Sequence, residues 1–215
     1  MMEILKSRKK YKGKLLFLTN NDNALRLSDY LEKSHDVHIY RERVTLCLVQ
    51  LMKPDFIISY NYNYIIREDV ITYMKGKIIN IHISYLPWNR GFSPNIWSFI
   101  DHTPKGVTIH EISNGLDQGK ILFQKECFFK PEEQSFTSTY QILNDVAVQL
   151  FIEHWEDIWN QNYILKEQAD GGSFHTKKDL EKLMEKCPFS WNDNIADFLK
   201  RYEKLNMSED GKTGN

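Results

Sequence analysis

The chain has no stretch approaching the ~18 consecutive apolar residues of a membrane span, so no membrane role is expected. Its N-terminus has no apolar signal core, and the cytoplasm is the expected compartment. Charge of one sign is missing too. A net charge of −1 over 215 residues leaves no field to draw in nucleic acid or a lipid surface. The basic cluster Lys6-Ser7-Arg8-Lys9-Lys10-Tyr11-Lys12 is short and terminal and reads as a solvated tail. Cysteine is scarce: Cys47, Cys127 and Cys187 are odd in number and far apart. They fit reduced thiols and exclude a disulfide framework or a zinc knuckle. The loop expected after the first strand, Thr19-Asn20-Asn21-Asp22-Asn23, has no glycine to cradle a phosphate. Internal repeats and low-complexity segments are absent as well.

What is present is ordinary for a folded protein: 41% hydrophobic and 27% charged residues, in a length that suits one domain with a small appendage. Short apolar runs at Leu15–Leu18, Val37–Tyr40 and Phe56–Tyr60 read as strands. Helical patterns at Ala24–Lys33 and Val44–Met52 separate them, the second stopped at Lys53-Pro54. This alternation predicts an α/β protein with a doubly wound, mostly parallel sheet. A fourth strand at Lys77–Ile83, a short helix at Pro94–Ile100 and strands at Val107–Ile112 and Ile121–Phe128 follow. Phe136–Trp159 is one long amphipathic helix, with Phe136, Tyr140, Leu143, Ala147, Leu150 and Ile158 on one side. Beyond Gln161 come a turn at Ala169–Ser173, two short helices at Asp179–Lys186 and Ile195–Leu205, and a frayed polar end from Ser208. The expected organisation is a catalytic domain over 1–160 and a short helical extension over 161–215.

The chemistry centres on the fourth strand. Asn80 and His82 stand two apart, so a strand's period of two puts both on one face. The strand ends at Leu86-Pro87, and strand ends are where open α/β sheets carry ligands. Asp117 sits in Gly115-Leu116-Asp117-Gln118-Gly119, where the glycines allow a bend that aims one carboxylate inward. An amide donor, an imidazole and a carboxylate at one spot can stabilise an oxyanion and move protons in acyl transfer. Singly, each residue reads as well as packing or surface. His110 reads as a structural hydrogen-bonding residue.

Asn80-Ile81-His82, Leu86-Pro87, Asn89-Arg90-Gly91, Pro94, Gly106-Val107-Thr108-Ile109-His110 and Gly115–Gly119 together resemble the folate-dependent formyltransferase family. The likeness covers residues 54 to 125 well and the flanks by pattern. It implies a Rossmann-like formyltransferase fold, with Asn80, His82 and Asp117 catalytic. It implies N10-formyltetrahydrofolate as co-substrate and no metal. The place where the family cradles the pterin corresponds to Ser59, Tyr60, Tyr64 and Ile65, with Ile112, Asn114 and Gly115. The run Ser84–Asn95 is most similar to the nucleotide-sugar N-formyltransferase branch, whose small members use dTDP-4-amino-4,6-dideoxyglucose for surface polysaccharide such as lipopolysaccharide O-antigen. That implies a nucleotide-sugar partner and no nucleic acid.

For the nucleotide, Arg90 and Gly91 and the pair Lys177 and Lys178 are candidates for the pyrophosphate. Trp88 and Phe174 are candidates to stack on the base. Cys127-Phe128-Phe129 and the C-terminal helices are a candidate homodimer surface, with core burial the equal alternative. Three rival readings stay open. One is formylation of another amine, such as glycinamide ribonucleotide. Another is an inactive folate- or nucleotide-binding module. The third is a metal hydrolase on His82, His110 and Asp117, against which stands the lack of H-x-H and H-E-x-x-H.

Overall fold

A computed structural model describes residues 12–210, with side chains through Met207. The basic cluster therefore lies outside the described residues except for Lys12, and so does the end of the chain from residue 211. The chain forms two compact units, Met1–Ile79 and Asn80–Asn215.

The first unit alternates strand and helix: β1 (Lys14–Leu18), α1 (Leu25–Leu31), β2 (Asp36–Tyr40), α2 (Leu46–Met52), β3 (Phe56–Tyr60) and α3 (Glu68–Met74). β1 is buried almost throughout and pairs in parallel with β2 on one side and β3 on the other. A strand buried on both faces reads as a continuous apolar run, which is how Leu15–Leu18 betrays itself. The polar loop after β1 caps a short 3₁₀ turn, with Asn21 accepting from the Asn23 amide. Thr45 caps α2, and Lys53 ends it in a left-handed conformation just before Pro54. The helix α3 escaped the sequence reading. Its seven residues bury only Val70 and Met74, too few to print a period.

β4 (Ile78–His82) begins at the end of the first unit and opens the second. After it come β5 (Arg90–Gly91), α4 (Pro94–Ile100), β6 (Lys105–Glu111), β7 (Ile121–Cys127), α5 (Phe136–Trp159), β8 (Phe174–His175), α6 (Lys177–Lys186) and α7 (Ile195–Asp210). The central sheet runs β2-β1-β3-β4-β6-β7, with β6 and β7 antiparallel. β5 and β8 form a separate parallel pair, Arg90 opposite Phe174 and Gly91 opposite His175. The helix α7 continues past Leu205 to Asp210, so Ser208 belongs to it. Among the described residues no helix is long and apolar enough to cross a membrane.

In β4, Ile78, Ile79, Ile81 and His82 are all buried and Asn80 is half-buried.

Capping starts α5: Ser135 and Ser138 exchange hydrogen bonds in a capping box. The helix buries more than the expected stripe, adding Phe151 and Trp155, while Tyr140 is only half-buried. Phe136 is fully buried and meets Phe99, Phe189 and Phe198 edge-on. Ile96, Leu183 and Ile195 complete this core, so residues after 160 are packed into the second unit. Phe129 packs against it, leaving Phe128, 83% exposed, as the free member of the candidate surface pair. Truncating Phe136 to alanine is expected to cost about 3–5 kcal/mol. Urea unfolding measures this, and a loss below about 1 kcal/mol would contradict the packing.

Candidate active site

Four chain segments of the second unit converge on one carboxylate, and β6 supplies His110. β4 supplies Asn80 and His82. The loop between β6 and β7 supplies Asp117. The segment after β4 supplies the backbone of Gly91. Asp117 takes a left-handed conformation, φ 54°, which costs a non-glycine residue roughly 1–2 kcal/mol. The bend expected of Gly115 and Gly119 is thus made by Asp117 itself. Gly119 serves close approach instead: a Cβ there would lie 1.7 Å from the Glu111 carbonyl oxygen. The loop closes where the Glu111 amide donates to the Lys120 carbonyl at 2.9 Å.

The Asp117 side chain is only 9% exposed. Its Oδ2 accepts from the Gly91 amide at 2.9 Å and faces His82 Nδ1 at 3.6 Å. Its Oδ1 accepts from Asn80 Nδ2 at 3.4 Å and faces His110 Nε2 at 3.6 Å. Burial works against the charged form. The charge of His82, the hydrogen bond and charge of His110 and the Gly91 amide together outweigh it. The carboxyl is held well below the usual carboxylate range.

Protons in the cluster follow from its carbonyls. His82 Nε2 lies 3.1 Å from the Asn89 carbonyl and must donate to it. Nδ1, 3.6 Å from Asp117 Oδ2, can donate to it only when it too carries a proton. His110 Nδ1 donates to the Glu111 carbonyl at 2.7 Å. Its Nε2 lies 3.1 Å from Asn80 Nδ2 and 3.6 Å from Asp117 Oδ1. The Asp117 carboxylate only accepts, so the Asn80 amide presents its NH2 to it. His110, 2% exposed, thus belongs to the site.

Asn89, in sequence only one member of a motif, is fully buried and left-handed, φ 54°. Its side chain donates to Thr103 Oγ1 at 2.7 Å and accepts from Ser173 Oγ at 3.0 Å. Gly91 holds Asp117 through its amide and has no room for a side chain, since a Cβ would meet the His175 carbonyl oxygen at 2.3 Å. Arg90 is engaged within the chain: Nε and Nη2 donate to Gln168 Oε1 at 3.0 and 2.7 Å.

The other sequence candidates vary in burial. Trp88 is half-buried, and Phe174 is 51% exposed on β8. Lys177 and Lys178 are exposed in the first turn of α6, with Lys177 3.8 Å from Glu181. Ile112, Asn114 and Gly115 are in the loop that leads to Asp117. In the first unit, Ser59 and Tyr60 are buried in β3, and the Tyr60 ring at 0% exposure is core. Tyr64 is half-buried beneath Arg43, 5.5 Å from its ring, and Ile65 is 71% exposed. Among the described residues no group of three His, Cys, Asp or Glu side chains is placed to hold a metal ion.

The formyl transferase family profile matches residues 7–154. The chain belongs to the formyl transferase family. It is 30% identical over 204 residues to dTDP-4-amino-4,6-dideoxyglucose formyltransferase of Mycobacterium bovis, spanning 89% of this chain and 86% of that protein. The structure of the formyltransferase PseJ from Anoxybacillus kamchatkensis is 39% identical with a TM-score of 0.78. It covers 87% of this chain and 97% of its own, and was solved with UDP-4,6-dideoxy-4-formamido-L-AltNAc and tetrahydrofolate. Methionyl-tRNA formyltransferase of Thermotoga maritima is 31% identical over 166 residues, 76% of this chain but only 49% of that enzyme. The first two relatives are matched over more than four fifths of their own length.

The depressed Asp117 carboxyl makes this formyltransferase's stability depend on acid. The unfolded chain protonates an aspartate near pH ~3.9, whereas the native carboxylate stays charged below that. Its stabilisation is therefore complete above about pH 4 and is lost as pH falls further. Urea unfolding between pH 5 and 3 should fall more steeply for the wild type than for Asp117→Asn. Parallel slopes would contradict the ionised, compensated carboxylate.

Proposed function

We propose that this formyltransferase moves the formyl group of N10-formyltetrahydrofolate to the 4-amine of a nucleoside-diphosphate-linked 4-amino-4,6-dideoxyhexose. The observation that carries the reading is the buried Asp117 carboxylate, bracketed by Asn80, His82, His110 and the Gly91 amide. The amine nitrogen bonds to the formyl carbon, giving an oxyanion and an ammonium. The C–N10 bond then breaks, and the proton lost by the amine ends on N10.

Each residue has a part in this sequence. The Asn80 amide donates to the oxyanion, giving up its 3.4 Å contact with Asp117, the longest hydrogen bond of the cluster. His82, when protonated, places positive charge beside the same oxygen. Asp117 holds that imidazolium and relays the amine proton through water. Ile112, Asn114 and Gly115, in the loop leading to Asp117, remain the folate contacts assigned within the second unit.

Support for the acceptor comes from what two relatives share. One is named for dTDP-4-amino-4,6-dideoxyglucose, and the other was solved with a UDP-linked 4,6-dideoxy-4-formamido sugar. The common element is a 4-amino-4,6-dideoxyhexose on a pyrimidine nucleotide. The higher identity of the second favours uridine over the thymidine that the family resemblance implies. On this reading the enzyme works in the cytoplasm and its product feeds surface polysaccharide. Its three free cysteines suit that reducing compartment.

Mass spectrometry of a mixed acceptor panel tests the proposal. A gain of one formyl group is expected on the UDP- or dTDP-linked 4-amino sugar, and none on glycinamide ribonucleotide or methionyl-tRNA. Formylation of glycinamide ribonucleotide alone would overturn it. Asn80→Ala is expected to lose roughly 100 to 1000-fold in kcat. Near-wild-type turnover in that variant would remove Asn80 from the reaction.

A further inference from the structure

The loop presenting Asp117 is held from behind by a residue beyond the span that the family profile matches. Gln168 Nε2 donates to the carbonyl oxygens of Asp117 and Gly119 at 2.7 and 2.8 Å. Its Oε1 accepts from Nε and Nη2 of Arg90 at 3.0 and 2.7 Å. A primary amide has two N–H donors and one oxygen with two lone pairs. All of that capacity is used here, so the side chain cannot turn over without reversing every contact.

The two ends of this amide hold the two backbones that meet at the carboxylate. Arg90 precedes Gly91, whose amide grips Asp117 Oδ2. Asp117 and Gly119 are the loop itself. Asp117 is left-handed, a conformation that persists when its surroundings over-determine it. The grip on its carbonyl is one such constraint, and the lack of room at Gly119 is another.

We infer that Gln168 is a positioning residue for formyl transfer: it fixes the Asp117 carboxylate against the Gly91 amide and His82 without touching the reacting atoms. This rests on the reading above that Asp117 acts with His82. Chemistry separates the substitutions. Asparagine is one methylene too short to span both sides. Glutamate keeps the Arg90 contact but turns an oxygen toward two carbonyl oxygens.

Two measurements test it. In the substrate-free protein, the amide-proton chemical shift of Gly91 reports its hydrogen bond to Asp117. It should move upfield in Gln168→Ala and Gln168→Asn, with the dispersed spectrum of a folded protein retained. In steady-state kinetics, kcat should fall roughly 10 to 100-fold, because a displacement of ~1 Å at a reacting group costs about that much. KM for both substrates should stay within about threefold. In an Asp117→Asn background the same Gln168→Ala change should cost less than about twofold, since residues acting as a unit are not additive.

An unmoved Gly91 amide in a folded Gln168→Ala protein overturns the inference whatever the reaction proves to be. An undiminished loss of kcat in the Asp117→Asn background overturns it too, assigning Gln168 to general stability. If the alanine variant does not fold, Gln168→Glu carries both measurements with the same expected directions. A wild-type protein that formylates no amine would refute the formyltransferase reading alone, and the Gly91 amide would still decide the clamp.

Discussion

A carboxylate taken out of water must be compensated, and the second unit is arranged around compensating Asp117. Two imidazoles, one side-chain amide and one backbone amide face its two oxygens. Each of these partners is itself tied to a carbonyl or to a packed strand. The Asn89 carbonyl fixes His82, and the Glu111 carbonyl fixes His110. An assembly of this kind is strong only when complete, because one missing partner leaves a buried charge exposed to a poor solvent. That explains why a left-handed Asp117 and a left-handed Asn89 are tolerated side by side with Gly91, which has no room for a side chain. The strain sits where the chemistry needs a fixed geometry.

Much of this was legible in the sequence for definite physical reasons. A two-residue spacing in an apolar strand is enough to put Asn80 and His82 on one face, whatever the fold around them. The β1 and β3 strands announce themselves as unbroken apolar runs because both faces are covered. The bounds of α4 and α5 agree with the reading because Pro94 and the Ser135–Ser138 box mark their starts.

The rest was illegible for equally physical reasons. β5 and β8 have two residues each, too few to show any period. Gly91 acts through its backbone amide, which every residue but proline has. Gln168 acts through an amide reaching backbone carbonyls, a contact that leaves no pattern in neighbouring side chains. The contact of Arg90 with Gln168 spans 78 residues of sequence and has no local signal. Tyr60 looks like a cofactor wall and is wholly core.

The central claim is that the carboxylate–imidazole assembly performs formyl transfer rather than merely stabilising the second unit. Single-turnover transfer from a carbon-13-labelled formyl donor, with enzyme in excess over the amino sugar nucleotide, addresses it directly. Proton-relay groups contribute about 100 to 10,000-fold. The account predicts that Asp117→Asn slows appearance of the labelled formamide by a factor in that range, while the amino sugar nucleotide binds as tightly as to the wild type. Labelled product forming at the wild-type rate in Asp117→Asn would contradict it.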